Sequence, residues 1–91
     1  MFRTAPIADA LAVRRVLRGD ANAFGPLVRR YHRAVIGLCY GYLRNRADAE
    51  DAAQEAFIRA YTRLNTLADP ARFGPWLMII ARNASLNAQA N

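Results

Sequence analysis

The chain contains no lysine, one histidine and one cysteine among its 91 residues. Each shortage removes a class of chemistry. With Cys39 alone, no disulfide closes within the chain and no paired-thiolate metal spacing exists. Cys39 falls on an apolar helical stripe and reads as a small core residue, which fits a reducing compartment. His32 has no second ligand near it, so no metal site is expected. No apolar run approaches the roughly 18 residues needed to span a membrane. The start, MFRTAPIADALAV, has neither a long apolar region nor a clear cleavage site. Glycine-rich phosphate loops, repeats and low-complexity tracts are missing as well. The expectation is a cytoplasmic protein without cofactor, metal or membrane partner, and not an enzyme.

What is present is charge, and it is unevenly spread. All thirteen basic residues are arginine, and the net charge is +6. A basic balance of this size favours an anionic partner, most often nucleic acid. Four of the seven acidic residues, Asp48, Glu50, Asp51 and Glu55, fall in one short stretch. An acidic stretch inside a basic chain points to two surfaces for two partners. A hydrophobic fraction of 54% argues against disorder, and the length suits a single domain over residues 1–91.

Apolar spacing predicts helices throughout and no strand, so the expected fold class is all-α, a compact bundle of three to four helices. The first is expected over about 6–18, from Pro6, Ile7, Leu11, Val13, Val16 and Leu17 to the break at Gly19. Asp20 then reads as the N-cap of a second helix over about 21–43. Its apolar face is Phe24, Val28, Tyr31, Val35, Leu38 and Tyr42. Arg29, Arg30, His32 and Arg33 form a solvated basic face. Pro26 requires either a kink or a regular helix that begins near Gly25. Asp48 reads as the cap of a third helix, about 48–66. Its inward stripe is Ala49, Ala53, Ala56, Phe57, Ala60, Tyr61 and Leu64. Asp51, Gln54, Glu55 and Ile58 follow at steps of 3, 1 and 3 on a different, exposed side. Residues 65–75 are turn chemistry, with Asp69-Pro70 and Gly74-Pro75. A last, largely buried helix is expected over about 75–88, opened by Pro75. Residues 1–5 and the tail after Leu86 are expected to fray.

Three pieces together carry a family resemblance: Gly19-Asp20 with Ala23-Phe24 and Arg30-Tyr31; Ala49-Glu50-Asp51 with Gln54-Glu55 and Phe57; and Trp76-Leu77 followed by Ile80-Ala81-Arg82-Asn83. From about Gly19 to Leu86 the chain resembles the second conserved region of bacterial sigma factors, with the extracytoplasmic-function group the closest. The resemblance implies a helical module that binds the RNA polymerase core and recognises and opens the −10 promoter element. It implies Asp51, Gln54 and Glu55, with Ile58 as an apolar neighbour, as contacts to a coiled coil of the largest polymerase subunit. It implies that the loop from about Asn65 to Gly74, with Arg72 and Phe73, reads an unstacked base of the non-template single strand. Trp76, Arg82 and Asn83 match positions near promoter DNA. An anti-sigma factor is a further partner by resemblance.

An acidic strip suits an arginine-rich partner through charge-assisted pairs. Arginine beside aromatic rings suits single-stranded DNA. Structural roles compete: Phe57, Tyr61 and Trp76 read first as core, Phe73 as readily core as contact, and Arg82 as an ion-pair partner or a phosphate contact. The chain departs from the family at Met78-Ile79, where a basic or aromatic pair is common, and in lacking paired arginines after Asn83. No helix-turn-helix domain for the −35 element follows, so a fragment or one-domain form is expected. Alternatives are a sigma-like interaction module without specific DNA binding, and a helical bundle that binds nucleic acid regardless of sequence.

Overall fold

The computed structural model describes residues 5–90; Met1–Thr4 and Asn91, expected to fray, lie outside the described residues. Four helices form: α1 (Ala5–Leu17), α2 (Phe24–Leu43), α3 (Arg46–Thr62) and α4 (Phe73–Ala90). No strand occurs among the described residues. The all-α bundle expected from apolar spacing is the observed architecture.

Local chemistry moves several helix ends from their expected places. Gly19, at φ 108°, takes the left-handed conformation that ends α1. A 3-10 turn, Ala21–Ala23, follows, and Asp20 gives it no side-chain hydrogen bond, which corrects its capping role. Because α2 starts at Phe24, Pro26 sits in the first turn, where its missing N–H breaks no intrahelical bond. Asn45, not Asp48, caps α3: its Oδ1 accepts from the Asp48 N–H at 3.0 Å. Asn45 is extended, at φ −141°, which aims its short side chain at the third helical N–H. Asp48 still places its charge at the positive end of the helix. After α3, the connection winds into two 3-10 turns, Leu64–Thr66 and Pro70–Arg72. Asp69 Oδ1 caps the second through the Ala71 N–H at 3.1 Å. α4 therefore begins two residues before Pro75, and it continues to Ala90 instead of fraying. Gln89 Nε2 holds its end by donating to the Tyr42 carbonyl at 2.6 Å.

α2, α3 and α4 pack on one another. Their shared core holds Leu27, Val35 and Cys39 from α2, and Phe73, Leu77, Ala81 and Ala84 from α4. The contribution of α3 is mostly alanine, at 49, 52, 53, 56 and 60, with Phe57. Small side chains let both neighbours approach closely and fix α3 along its length.

α1 is turned differently from expectation. Val13 is buried, but Ile7 is 66% exposed, Leu11 58% and Leu17 49%. The inward face instead carries Asp9, only 1% exposed. Its two carboxylate oxygens accept from Arg30 Nη1 and from the Tyr31 hydroxyl. An unpaired buried carboxylate would cost several kcal/mol, so this engagement sets the rotation of α1 at the expense of Ile7 and Leu11. Arg30 is thus an ion-pair partner rather than part of a freely solvated face. The Tyr31 phenol is pushed up from 10.0 to about 12, by burial first, then by its hydrogen bond to Asp9 and that carboxylate's charge, with Arg30 acting the opposite way. Gly74 completes the arrangement, since a Cβ there would lie 2.6 Å from the Tyr31 hydroxyl oxygen.

Candidate functional site

The alanine face that buries α3 leaves its opposite side free. Asp51, Gln54, Glu55 and Ile58 are all exposed there, Ile58 to 52%. They form a ridge between two unlike grooves. On the α2 side lies a groove of about 400 Å³ walled by Phe24, Val28, His32, Phe57, Ile58 and Tyr61, with Gln54 at its rim. On the α4 side lies one of about 540 Å³ bordered by Asp48, Asp51 and Glu55, with Arg59 and Asn87. Gln54 and Ile58 therefore look into apolar space, and Asp51 and Glu55 into acidic space. Two exposed ion pairs steady the helix: Arg59 Nε to Glu55 Oε1 at 2.9 Å and Arg46 Nε to Glu50 Oε2 at 3.5 Å. Each contributes about 0.3–0.5 kcal/mol, little enough for Glu55 to exchange partners.

Sequence reasoning missed the second wall of the apolar groove. His32 stacks on Phe57, ring centroids 6.5 Å apart and planes 16° from parallel. Tyr61 is 45% exposed, which corrects its assignment to the core, whereas Phe57 is buried. Tyr61 also meets Phe24 edge-on at 5.2 Å. The signal was in the spacing: His32 falls four residues after Val28, and Tyr61 three after Ile58.

A second concave surface lies where the connection meets α4. A pocket of about 380 Å³ is bordered by Thr66, Leu67, Asp69, Arg72, Trp76 and Ile79. Arg72 is exposed, as is Asn65, which immediately precedes Thr66 in the chain, and Trp76 is half-buried and borders the pocket. Further along α4, Arg82 and Asn83 are exposed and lie three and four residues past Ile79, so they continue the same side of the helix. Arg82 forms no ion pair among the described residues. Phe73 does not join this surface. It is fully buried, with ring centroids 6.2 Å from Phe24, 5.7 Å from Tyr31 and 6.0 Å from Trp76. Starting α4 at Phe73 puts it on the inward stripe with Leu77, Ala81 and Ala84, so it has no face to offer a base.

Among the described residues no group of histidine, cysteine and acidic side chains could hold a metal ion. Nor is any described helix long and apolar enough to cross a membrane.

Residues 27–90 match the Sigma-70 region 2 family. The chain is 40% identical over 79 residues to the RNA polymerase sigma-H factor of Pseudomonas aeruginosa, covering 87% of this chain and 41% of that protein. It is 40% identical over 75 residues to the ECF RNA polymerase sigma factor SigW of Bacillus subtilis, covering 82% and 40%. Over 81 residues it is 40% identical to the ECF RNA polymerase sigma-E factor of Escherichia coli K12, covering 89% and 42%. The chain thus spans about two fifths of the length of these relatives. With the match running from the second helix to the end of the fourth, the chain belongs to the Sigma-70 region 2 family.

Proposed function

We propose that this chain is the part of a transcription initiation factor that docks on core RNA polymerase and reads the opened −10 promoter strand. It acts by binding alone, in the cytoplasm. The observation that carries the reading is the exposed ridge of Asp51, Gln54, Glu55 and Ile58 between an acidic and an apolar groove. Such a ridge fits a helical partner with an apolar stripe flanked by arginines, the chemistry expected of the coiled coil of the largest polymerase subunit. Apolar burial at Ile58 and Tyr61 supplies affinity, and Asp51 and Glu55 supply encounter rate and register. The pocket beside Trp76 takes an unstacked base of the non-template strand, and Arg72, Arg82, Asn65 and Asn83 hold phosphates and base edges along it. An anti-sigma factor would compete for the same ridge.

The test is a pull-down of the coiled-coil fragment with wild type, Gln54→Ala and Glu55→Arg. Each substitution is expected to weaken capture by about tenfold or more, with helicity by circular dichroism unchanged. Capture that persists in both variants refutes docking through this ridge.

A further inference from the structure

His32 is the chain's only histidine, and it is the one wall of the α2-side groove whose residue type changes charge near neutral pH. Its ring is exposed and lies nearly parallel to that of Phe57. Every other wall of this groove is apolar or neutral, Gln54 and Tyr61 included. On its other side His32 borders a second groove, with Arg33, Tyr40 and Arg46. The charges around the ring are therefore cationic. Arg33 follows it on α2, and Arg46 stands across from it at the start of α3. Arg29 lies one turn earlier on α2, with its guanidinium beside Gly25. The acid on that side, Glu50, is paired with Arg46 at 3.5 Å. Asp51 and Glu55 border the opposite groove. No carboxylate forms an ion pair with the imidazole among the described residues.

We infer that docking through this groove is proton-linked: the partner helix binds the chain with His32 neutral, and protonation of His32 weakens it. The inference rests on the polymerase-docking role proposed above. While the groove is open, water solvates either form of the exposed ring. Once an apolar stripe covers Phe57 and Ile58, the charged form loses that solvation. The arginines around the ring, joined by those expected on the partner, repel it as well. The attraction of a cation for the Phe57 face is already present in the free chain, so it does not favour the charged form on docking. Docking therefore releases a proton to solvent. Binding is strongest above the range in which histidine titrates and falls as pH drops through it.

The experiment uses the 91-residue chain and a fluorescein-labelled coiled-coil fragment of the largest polymerase subunit, with dissociation constants read by anisotropy at pH 7.5 and pH 5.8. Ordinary carboxylates stay charged across this window. Wild type is compared with His32→Phe and His32→Gln, which cannot gain a proton, and circular dichroism at both pH values checks the fold. Each protein is compared with itself across pH, so any loss of contact in the variants cancels, and titration within the fragment moves all three alike. Wild type is expected to bind about fivefold more weakly at pH 5.8 than the two variants' own pH ratios allow, the change open to one histidine that must be neutral to bind. A wild-type ratio equal to that of either variant overturns the linkage and leaves docking intact. Tighter wild-type binding at pH 5.8 that both variants abolish also overturns it, because it reverses the sign. If wild type does not bind the fragment at pH 7.5, the docking role itself fails and the linkage with it.

Discussion

The α3 ridge and the loop surface are built by opposite means. Every residue of the ridge comes from one helix, and the alanine face behind it packs that helix against α2 and α4 along its length. The loop surface is assembled from two 3-10 turns and the start of α4, with α1 packed against the Pro70–Arg72 turn. Its foundation is Phe73 and the Asp9–Arg30–Tyr31 contact, residues far apart in sequence. A surface of the first kind tolerates change in the core. One of the second kind inherits every weakness of the packing beneath it.

The largest effect that would sharpen this contrast is at Phe73. Phe73→Ala empties the space shared by Phe24, Tyr31 and Trp76 and should cost about 3–5 kcal/mol of stability in urea unfolding. A variant with near wild-type stability that nonetheless loses strand binding would put Phe73 back among the contacts. Next comes Asp9→Asn, which leaves Arg30 without its counter-charge. Because Arg30 is partly exposed, the loss should be about 2 kcal/mol. In the same variant the Tyr31 phenol should titrate lower, nearer its ordinary 10.0, when followed by ultraviolet absorbance. In the wild type the fold favours the protonated phenol. That stabilisation is complete below about pH 10 and is lost as pH rises toward about 12. A wild-type phenol that titrates at its ordinary value would break the proposed anchoring of α1. The smallest effect is Asn45→Ala, which removes the α3 cap and should cost about 1 kcal/mol. It should leave the ridge's binding unchanged at a temperature where the chain is folded.

The same contrast explains what the sequence made legible. Spacing alone placed Asp51, Gln54, Glu55 and Ile58 on one exposed side, because a helical face is a local property. It misplaced Ile7 and Leu11, since nothing local says that Asp9 will be buried against residues 21 and 22 positions away. The fate of Phe73 turned on where α4 begins, which Asp69 and the Pro70–Arg72 turn decide. Exposed Tyr61 and stacked His32 were missed because the groove they share needs the packing of two helices. Motif resemblance supplied the partners proposed above, which periodicity could not.

The most direct test is to measure both binding activities on one panel of exposed variants. Gln54→Ala and Glu55→Arg are compared with Arg72→Ala and Arg82→Ala, against the polymerase coiled-coil fragment and against a fluorescein-labelled single strand of DNA read by anisotropy. Separate surfaces predict that the first pair loses the polymerase fragment and keeps the strand, while the second pair does the reverse. Folded variants that lose both together, or that exchange these losses, would contradict the division of this chain into two faces.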